Sequence, residues 1–343
     1  MDAIDKKKLN IAFVGLGDRG RTAVRMMTEM PDVRVAALCD TVEANVTTAR
    51  AAVVSHTFCA AGTDAYKLAC GRPDVDLVYV CTDWNSHATI ALEALRAGKH
   101  VAVEVPAALT IGDLEQLVQT ARAAGRRCFM LENCCFDRQV QDAVAAIRRG
   151  EIGEMVHAEG TYYHELDDRW TGWRLEINRQ LAGDLYPTHE IGPICMALGI
   201  GQDDEFQTLV SMDSAAIAGP RVYKRALRKE AEDFAAGDHT TTLIRTRRGR
   251  TILLKHDVMT RQDYDRQLTF IGTEGRIVLT DEGRPSHEAM TRAMNRHLVE
   301  ALMNGGELLV SEADMARWCA IVPLSLQSIK KGYAPVAFPD FNF

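Results

Sequence analysis

The chain has 343 residues, of which 47% are hydrophobic and 25% are charged, and its formal net charge is −7. This length is typical of two domains, and this composition is typical of a globular protein with a large core. The negative charge argues against nucleic acid and anionic membrane surfaces as partners. No apolar run of about eighteen residues predicts a membrane span, and the polar start Met1–Asn10 has no signal-peptide pattern.

The nine cysteines indicate a reducing environment. No two of them lie three residues apart, so neither a C-x-x-C redox pair nor a zinc ribbon is present in the sequence. Cys134 and Cys135 are adjacent, which favours buried thiols over a disulfide framework. We therefore expect a cytoplasmic protein without a metal site.

The most informative motif is a glycine loop that follows the apolar run Leu9–Val14 and reads Gly15-Leu16-Gly17-Asp18-Arg19-Gly20. Between a strand and a helix, such glycines allow a tight turn, close approach of the backbone to a pyrophosphate, and close packing of the helix on the strand. Asp40 follows twenty residues after the last glycine, at the end of a second predicted strand, Val33–Cys39. Its carboxylate suits ribose hydroxyls and repels a 2′-phosphate, so we expect the loop, including Asp18 and Arg19, and Asp40 to bind NAD rather than NADP. The alternative is an ordinary turn followed by a solvated acid.

Strand-like and helix-like segments alternate from Leu9 to Asn133, which predicts a doubly wound parallel sheet, a Rossmann domain over residues 1–133. After a first helix over Arg19–Met30, the later predicted strands and helices are Asp76–Cys81, Ser86–Ala97, His100–Val105, Ile111–Ala124 and Arg127–Leu131. Ligands of such sheets bind at the carboxyl ends of the strands. Polar residues that follow these strands are therefore candidates for holding the cofactor.

Three strand ends carry such residues. The predicted cofactor contacts there are Thr82, Trp84, Asn85, His87, Glu104 and Asn133. Alternatively, Asn85 or Ser86 caps the helix that follows. Glu104 lies just before Val105-Pro106 and is placed toward the nicotinamide; the alternative is a structural acid near a cleft.

The second half, residues 134–343, predicts an α+β domain with a mostly antiparallel sheet that is open on one face. The predicted strands are Met155–Tyr163, Leu209–Ser211, Thr240–Thr246, Thr251–His256 and Gln267–Ile271. The piece Thr246–Thr251 predicts a hairpin turn. One long final helix is predicted over Ala313–Lys331.

Proton-transfer groups gather in the second half, where Tyr186 and His189 stand three residues apart in a string that contains two prolines and two glycines, Gly183–Pro193. At a helix start this spacing puts both side chains on one face, so we expect them to be catalytic. Trp173 and Arg174 precede them; an indole face stacks on a sugar ring, and a guanidinium binds hydroxyl or acyl oxygens, although domain packing would equally explain the tryptophan. Tyr264 stands among charged residues before a predicted strand and by itself is an ordinary surface tyrosine.

These residues give the chain a resemblance to a known family. The glycine loop, the run Cys81–Val101 and the E-x-P turn at Glu104 resemble the Gfo/Idh/MocA oxidoreductases. Most members have E-K-P where this chain has Val105, and an aspartate-bearing helix start where it has Tyr186-Pro-Thr-His189. Both departures resemble glycoside hydrolase family 109, the NAD-dependent α-N-acetylgalactosaminidases. The stretches that match this branch are Glu104–Pro106, Glu132–Cys134, Trp173–Arg174, Gly183–Pro193, Gly237–Asp257, Ile271–Gly275 and Pro335–Phe341.

The resemblance implies a glycosidase with tightly bound NAD⁺. Hydride leaves C3 of the sugar, the resulting ketone acidifies the C2 proton, the aglycone leaves C1, water adds back and the hydride returns. Within this scheme the resemblance implies catalytic roles for Tyr186, His189 and Tyr264, a cofactor contact from Tyr186, and substrate contacts from Arg174, Trp173 and Glu104. It also implies a carbohydrate substrate and a homo-oligomer, because the open sheets of this family commonly pair face to face.

Three departures leave the preference for N-acetylgalactosamine open. Phe136 stands where the family usually has a tyrosine, the chain is short between residues 197 and 237, and Arg284–His287 replaces a glycine-rich stretch. Three other hypotheses also remain: an NAD-dependent sugar or inositol dehydrogenase, a non-catalytic nucleotide-binding protein, and a metal hydrolase. The metal ligands in the last case would be His164, Glu165, Asp167 and Asp168.

Overall fold

A computed structural model describes residues 8–53, 56–166 and 169–341, which divide into two compact units. The first unit contains residues up to 132 together with residues 288–316. The second contains residues 133–287 and the chain from 317 onward. Within the described residues, no helix combines the length and the apolar character needed to cross a membrane.

The first unit is built on a parallel sheet. Its strands are β1 (Leu9–Val14), β2 (Val33–Asp40), β3 (Phe58–Ala61), β4 (Leu77–Val80), β5 (His100–Val103) and β6 (Cys128–Met130), and the helices between them are α1 (Asp18–Thr28), α2 (Glu43–Arg50), α3 (Ala65–Cys70), α4 (Trp84–Arg96) and α5 (Ile111–Ala124). The strand order is β3-β2-β1-β4-β5-β6, with every pair parallel. Helix crossovers on both sides bury the central strands, which explains their continuous apolar sequences. The order reverses between β1 and β4, so a crevice opens at their carboxyl ends.

The start of α4 differs from the predicted caps. The helix begins at Trp84, and the side chain of Asp83 accepts a hydrogen bond from the backbone N–H of Asn85 at 3.1 Å. Neither Asn85 nor Ser86 is therefore the N-cap. The reason is that β4 ends at Val80, one residue before the predicted end, and a carboxylate already stands where the helix can begin.

The second unit begins with a turn of 3-10 helix at Asn133–Phe136. There follow α6 (Arg138–Arg148), β7 (Met155–Tyr163), α7 (Gly172–Gln180), α8 (Thr188–Leu198), β8 (Phe206–Asp213), α9 (Ala218–Leu227), β9 (Thr240–Thr246), β10 (Thr251–Asp257), β11 (Leu268–Gly272) and β12 (Arg276–Leu279). The remaining elements of the chain are α10 (His287–Asn304), α11 (Glu312–Cys319), α12 (Ile321–Lys330) and β13 (Val336–Ala337).

In the second unit the strand order is β12-β11-β7-β10-β9-β8-β13. The β7–β10 pair is parallel and the other pairs are antiparallel, which confirms the predicted fold class of a Rossmann domain followed by an α+β domain with a mostly antiparallel sheet. Helices α8 and α12 pack on one face. On the other face apolar side chains such as Leu243, Met212 and Val278 remain exposed.

The predicted final helix is wrong as a single element. It is interrupted at Ala320, and α12 starts at Ile321 with Pro323 in its first turn. Proline lacks the N–H that an interior position must donate, and its ring crowds the preceding turn. A proline is therefore tolerated at a helix start, and two shorter helices replace the continuous one.

Candidate active site

The glycine loop is shaped by close backbone contacts in the first unit. Gly15 has a φ of +88°, and a Cβ added to it would lie 2.5 Å from the carbonyl oxygen of Cys81. A Cβ on Gly20 would lie 1.9 Å from the carbonyl oxygen of Gly15. At Gly17, by contrast, an added Cβ would meet nothing within 4 Å, just before the N–H groups at the start of α1. The loop thus packs tightly on its protein side and is open where a pyrophosphate would bind, so these residues fit a dinucleotide.

Asp40 lies at the end of β2 and is 9% exposed. One carboxylate oxygen accepts a hydrogen bond from the N–H of Leu16 at 2.5 Å, and the other accepts from the N–H of Val42 at 2.7 Å and from the side chain of Asn45 at 3.2 Å. Thr41 Oγ1 donates to this second oxygen as well, at 3.5 Å, so the capacity left for a ribose hydroxyl is on the first oxygen, which among the described residues accepts only from Leu16. The hydrogen bonds fix the acid against the glycine loop, where it was predicted to act.

Arg19 and Glu104 form an ion pair in the first unit. The Nε of Arg19 lies 2.5 Å from Oε1 of Glu104, and its Nη1 donates to Thr291 at 3.3 Å. Burial by itself lowers the pKa of Arg19, but the adjacent Glu104 carboxylate outweighs burial and raises it, so the guanidinium stays charged. Glu104 is therefore ion-paired. Because Val105 offers no charge beside it, the cation that pairs with Glu104 is Arg19 of the glycine loop.

The ring of His87 is buried between two carbonyl oxygens. Nδ1 lies 2.8 Å from the oxygen of Pro106 and Nε2 lies 3.1 Å from the oxygen of Thr82. Burial lowers the pKa of His87. The imidazole thus ties the two strand-end loops together. The contacts with NAD predicted for Thr82, Trp84, Asn85 and His87 stay predictions.

The second unit brings the predicted catalytic residues into one group of rings, which we call the aromatic cluster: Tyr162, His164, Tyr186, His189, His256 and Tyr264. The ring centres of Tyr186 and His189 are 4.8 Å apart. Tyr162 lies among them, with its ring centre 5.2 Å from that of His189, 5.8 Å from Tyr186 and 6.3 Å from Tyr264. The neighbours Tyr186 and His189 and the distant Tyr264 therefore converge on a fourth residue, Tyr162, that was not predicted.

The expected helical geometry of the tyrosine–histidine pair is wrong in detail. Helix α8 begins at Thr188, so His189 lies in its first turn while Tyr186 precedes it in the loop. Pro187 separates the two and itself stands at the N-cap. The rings meet because the chain turns at Pro187, and not because they share a helix face.

Four members of the aromatic cluster are neutral proton donors or acceptors at pH 7. Burial raises the pKa of Tyr162 and raises the pKa of Tyr264 to about 12, so both phenols keep their protons at neutral pH. Burial also lowers the pKa values of His164 and His256 to about 4, so both imidazoles are uncharged. Tyr162 Oη lies 2.9 Å from Nδ1 of His164. Such groups can move protons without a buried charge at rest.

Tyr162 and His256 were missed because their proximity depends on strand pairing. The register of the parallel β7–β10 pair sets His256 directly beside Tyr162, and their rings stack with centres 6.1 Å apart. The sequence Tyr162-Tyr163-His164 at the end of a predicted strand was the available signal. Strand partners are not visible in one sequence.

Trp173 and Arg174 lie in the first turn of α7, and the guanidinium of Arg174 is 5.0 Å from the centre of the Trp173 ring. Arg174 is also among the cations that lower the pKa of His164, after burial and Arg169. The predicted substrate-binding pair therefore lies within electrostatic reach of the aromatic cluster. The neighbouring Trp170 packs on a small apolar core.

The segment Arg284–His287 contributes a further histidine. The side chain of Arg284 is almost fully buried and its Nε lies 2.6 Å from a carboxylate oxygen of the buried Asp137. This ion pair anchors the segment, and the His287 ring centre lies 5.8 Å from that of His189. Asn133 donates its side-chain amide to His287 Nε2 at 3.1 Å and to its carbonyl oxygen at 3.2 Å. Asn133, predicted as a cofactor contact, is thus a partner of His287.

The set proposed for a metal hydrolase is only partly described. His164 belongs to the aromatic cluster, and Glu165 Oε1 lies 3.5 Å from Nε of Arg261. Asp167 and Asp168 lie outside the described residues.

Two family models match the chain. Residues 9–132 match the oxidoreductase family with an NAD-binding Rossmann fold, and residues 168–283 match the C-terminal domain of glycosyl hydrolase 109. A glycosyl hydrolase family 109 protein of Phocaeicola vulgatus is 34% identical over 395 residues, which cover 97% of this chain and 84% of that protein. A protein of the same family from Porphyromonas gingivalis has the same identity and coverage.

Solved structures share the fold at low identity. A probable dehydrogenase from Thermotoga maritima is 18% identical with a TM-score of 0.79 and covers 96% of this chain and 98% of its own. A myo-inositol dehydrogenase from Lactobacillus casei, solved with NAD(H) and myo-inositol, is 15% identical with a TM-score of 0.78 and covers 98% of both chains. The family models and relatives confirm the resemblance, the prediction of an enzyme and NAD as its cofactor.

Proposed function

The chain belongs to glycosyl hydrolase family 109, and on that premise we propose that this NAD-dependent glycosidase cleaves N-acetylhexosaminides, α-N-acetylgalactosaminides first among them, or related hexosides. The observation that carries the proposal is the convergence of Tyr186, His189 and Tyr264 around Tyr162. A reaction that removes protons at neighbouring sugar carbons needs such a group of neutral donors and acceptors.

The first unit would hold the dinucleotide. The N–H groups at Asp18 and Arg19 would bind the pyrophosphate, and Asp40 would accept hydrogen bonds from the ribose hydroxyls. When bound, NAD⁺ supplies a hydride acceptor for sugar C3 and returns the hydride at the end of the cycle. Arg19 pairs with Glu104 and orients it, so that this acid can hold a sugar hydroxyl or the nicotinamide edge.

Tyr186 and His189 would hold the two protons that move. The C3 hydroxyl loses its proton as it becomes a ketone, and the C2 carbon then loses one before the aglycone leaves. Two acceptors on adjacent carbons must themselves be close, and the 4.8 Å separation of these two rings suits that requirement. We assign Tyr186 to the C3 oxygen, with the cofactor beside it, and His189 to the C2 proton. Tyr264 would hydrogen-bond the leaving group or the returning water.

Trp173 and Arg174 would orient the sugar. An indole face stacks on the apolar face of a pyranose, and the adjacent guanidinium can donate to the carbonyl oxygen of an N-acetyl group. Phe136 is buried and offers no hydroxyl to the sugar, so we expect weaker discrimination among hydroxyl configurations than a tyrosine there would give.

The test is a panel of nitrophenyl glycosides assayed without added NAD⁺, with the bound nucleotide released by denaturation and identified. Cleavage in deuterium oxide is expected to place deuterium at C2 of the product. H189A is expected to lower kcat by about a thousandfold, while the matched variant H56Q at an exposed position keeps it. Product that retains all its C2 protium would overturn the mechanism. Steady accumulation of NADH with a free sugar would instead indicate a dehydrogenase.

We also propose a homo-oligomer that pairs through the open sheet face. Register sets Leu243 and Val278 in one row across that face, and Met212 lies in the next row, with exposed fractions of 47%, 41% and 52%. Light scattering is expected to show a dimer or larger assembly that L243E weakens; a monomer at all concentrations would contradict the proposal.

All nine cysteines are free thiols, which supports a cytoplasmic location. We also propose that the boundary between the Rossmann domain and the α+β domain lies between residues 133 and 134.

A further inference from the structure

A buried polar layer lies beneath the loop that carries Tyr186. Its acidic and hydroxyl side chains come from the loop itself, from β8 and β9, and from α12: Asp184, Ser211, Asp213, Thr240, Thr242 and Ser325, all of them buried except Asp213, which is half-buried. Hydrogen bonds connect its members; the hydroxyl oxygens of Ser211 and Thr242, for example, are 2.7 Å apart. The layer belongs to the second unit and contains no residue to which a catalytic role was assigned above.

Asp184 is the member that reaches the catalytic loop. It is completely buried and stands two residues before Tyr186, whose backbone N–H donates to its carboxyl group. Its own N–H donates to Ser325 Oγ at 2.9 Å, and Thr242 Oγ1 lies 3.5 Å from Oδ2. Oδ1 has no hydrogen-bond partner within the described residues. A buried carboxylate with an unsatisfied oxygen is unfavourable, whereas a neutral acid in the same place is tolerated.

A second carboxyl group, that of Asp213, acts on the pKa of Asp184. Asp213 accepts hydrogen bonds from the N–H of Gly183 at 2.8 Å, from Thr240 Oγ1 at 2.7 Å and from the N–H of Gly237 at 3.4 Å. The other titratable group facing Asp184 is His239, from the segment before β9, whereas β9 and α12 contribute hydroxyl groups. Burial, and then the Asp213 charge, raise the pKa of Asp184 to about 7.

The loop has little freedom to relieve a second charge. Gly183 joins the two acids, has a φ of +95°, and leaves no space for a side chain, because an added Cβ would lie 2.5 Å from Ser325 Oγ. If Asp184 loses its proton, its repulsion from Asp213 acts on a segment wedged against α12. The segment that follows carries Tyr186 and His189, so it is the part that moves.

We propose that Asp184 is a positioning residue that holds the Tyr186–His189 segment in its working geometry only while its carboxyl group is protonated. The consequence for catalysis rests on the proposed function, while the structural consequence does not. Above neutral pH the loop shifts and Tyr186 leaves its contacts in the aromatic cluster. Asparagine, which is neutral at every pH and similar in shape, preserves the geometry.

The first measurement needs no activity. In full-length protein labelled with ¹³C-tyrosine, the Tyr186 ring resonance, assigned with Y186F, is expected to shift with a midpoint at pH about 7. D184N abolishes that shift, and D32N, the same chemical change at an exposed position, leaves it unchanged. A wild-type resonance that does not titrate, or an equal titration in D184N, overturns the proposal.

The second measurement follows kcat against pH on the best nitrophenyl glycoside. Wild-type kcat is expected to fall about a hundredfold by two pH units above the midpoint, and D184N to retain its activity there. D184A, which removes the acceptor of the Tyr186 N–H, lowers kcat at every pH, with KM little changed. A D184N enzyme that is inactive at every pH while folded, as judged by circular dichroism, refutes the requirement for a neutral acid. If the wild type cleaves no glycoside, the proposed function fails, while the resonance titration still decides the role of Asp184.

Discussion

The glycine-loop edge of the first unit and the aromatic cluster of the second are opposite solutions to building a functional surface. The first is charged: Asp40 is fixed by four hydrogen bonds, and Arg19 pairs with Glu104 at 2.5 Å. The second is assembled from β7, the loop before α8 and its first turn, β10 and the loop before β11, and burial lowers the pKa values of its members His164 and His256 to about 4. The difference teaches that cofactor binding needs oriented charge, whereas proton shuttling needs groups that are uncharged at rest.

The largest effect is expected at Gly20, where an added side chain would collide with the backbone of the glycine loop. G20A introduces a methyl group 1.9 Å from the carbonyl oxygen of Gly15, so the loop must move. We expect NAD affinity to fall at least about a hundredfold and the apo protein to lose about 1–3 kcal/mol of unfolding free energy. Calorimetric titration and urea unfolding measure the two quantities.

The matched variant is G17A, because the space beside Gly17 is empty and its backbone is extended. It is expected to weaken NAD binding while leaving the unfolding free energy unchanged. If G17A bound NAD as well as the wild type, the open side of the loop would not be where the pyrophosphate binds.

An intermediate effect is expected in the aromatic cluster. Y162F removes the hydroxyl that lies 2.9 Å from His164 and keeps the ring packing. We expect kcat to fall about tenfold, in line with the loss of one buried hydrogen bond, and NAD affinity to be unchanged. Y163F, at the next position of the same strand, serves as control. Equal losses in both variants would remove the distinction between a proton-transfer residue and strand packing.

The smallest effect is expected in the pH dependence of the unfolding free energy. His164 and His256 have folded-state pKa values of about 4, below the ordinary value of 6.5. As pH falls from 6.5 toward 4, these two histidines bind protons in the unfolded chain but not in the folded protein. The unfolding free energy therefore decreases. H256Q is expected to lessen this decrease and the exposed control H56Q is not, as measured by urea unfolding at several pH values. An unaltered pH dependence in H256Q would show that the pKa of His256 is the same in the folded and unfolded protein.

Much of the first unit could be predicted from the sequence because its signals are local. A glycine loop between an apolar run and a helix, with Asp40 twenty residues further on, specifies strand, turn and helix within one segment. The ion pair between Arg19 and Glu104 could not be predicted, since 85 residues separate the partners. Whether Glu104 stands free or paired is a property of the assembled sheet.

The sequence by itself determined the two-part architecture, the NAD-binding loop and the string containing Tyr186 and His189, because each is written in contiguous residues with a strong backbone preference. Only the tertiary structure decided that Tyr162, His256 and His287 lie with them and that Asp184 is buried beside Asp213. The physical reason is that strand register and burial depend on contacts between distant segments. Those contacts set both the distances between the rings and the dielectric environment that fixes their protonation.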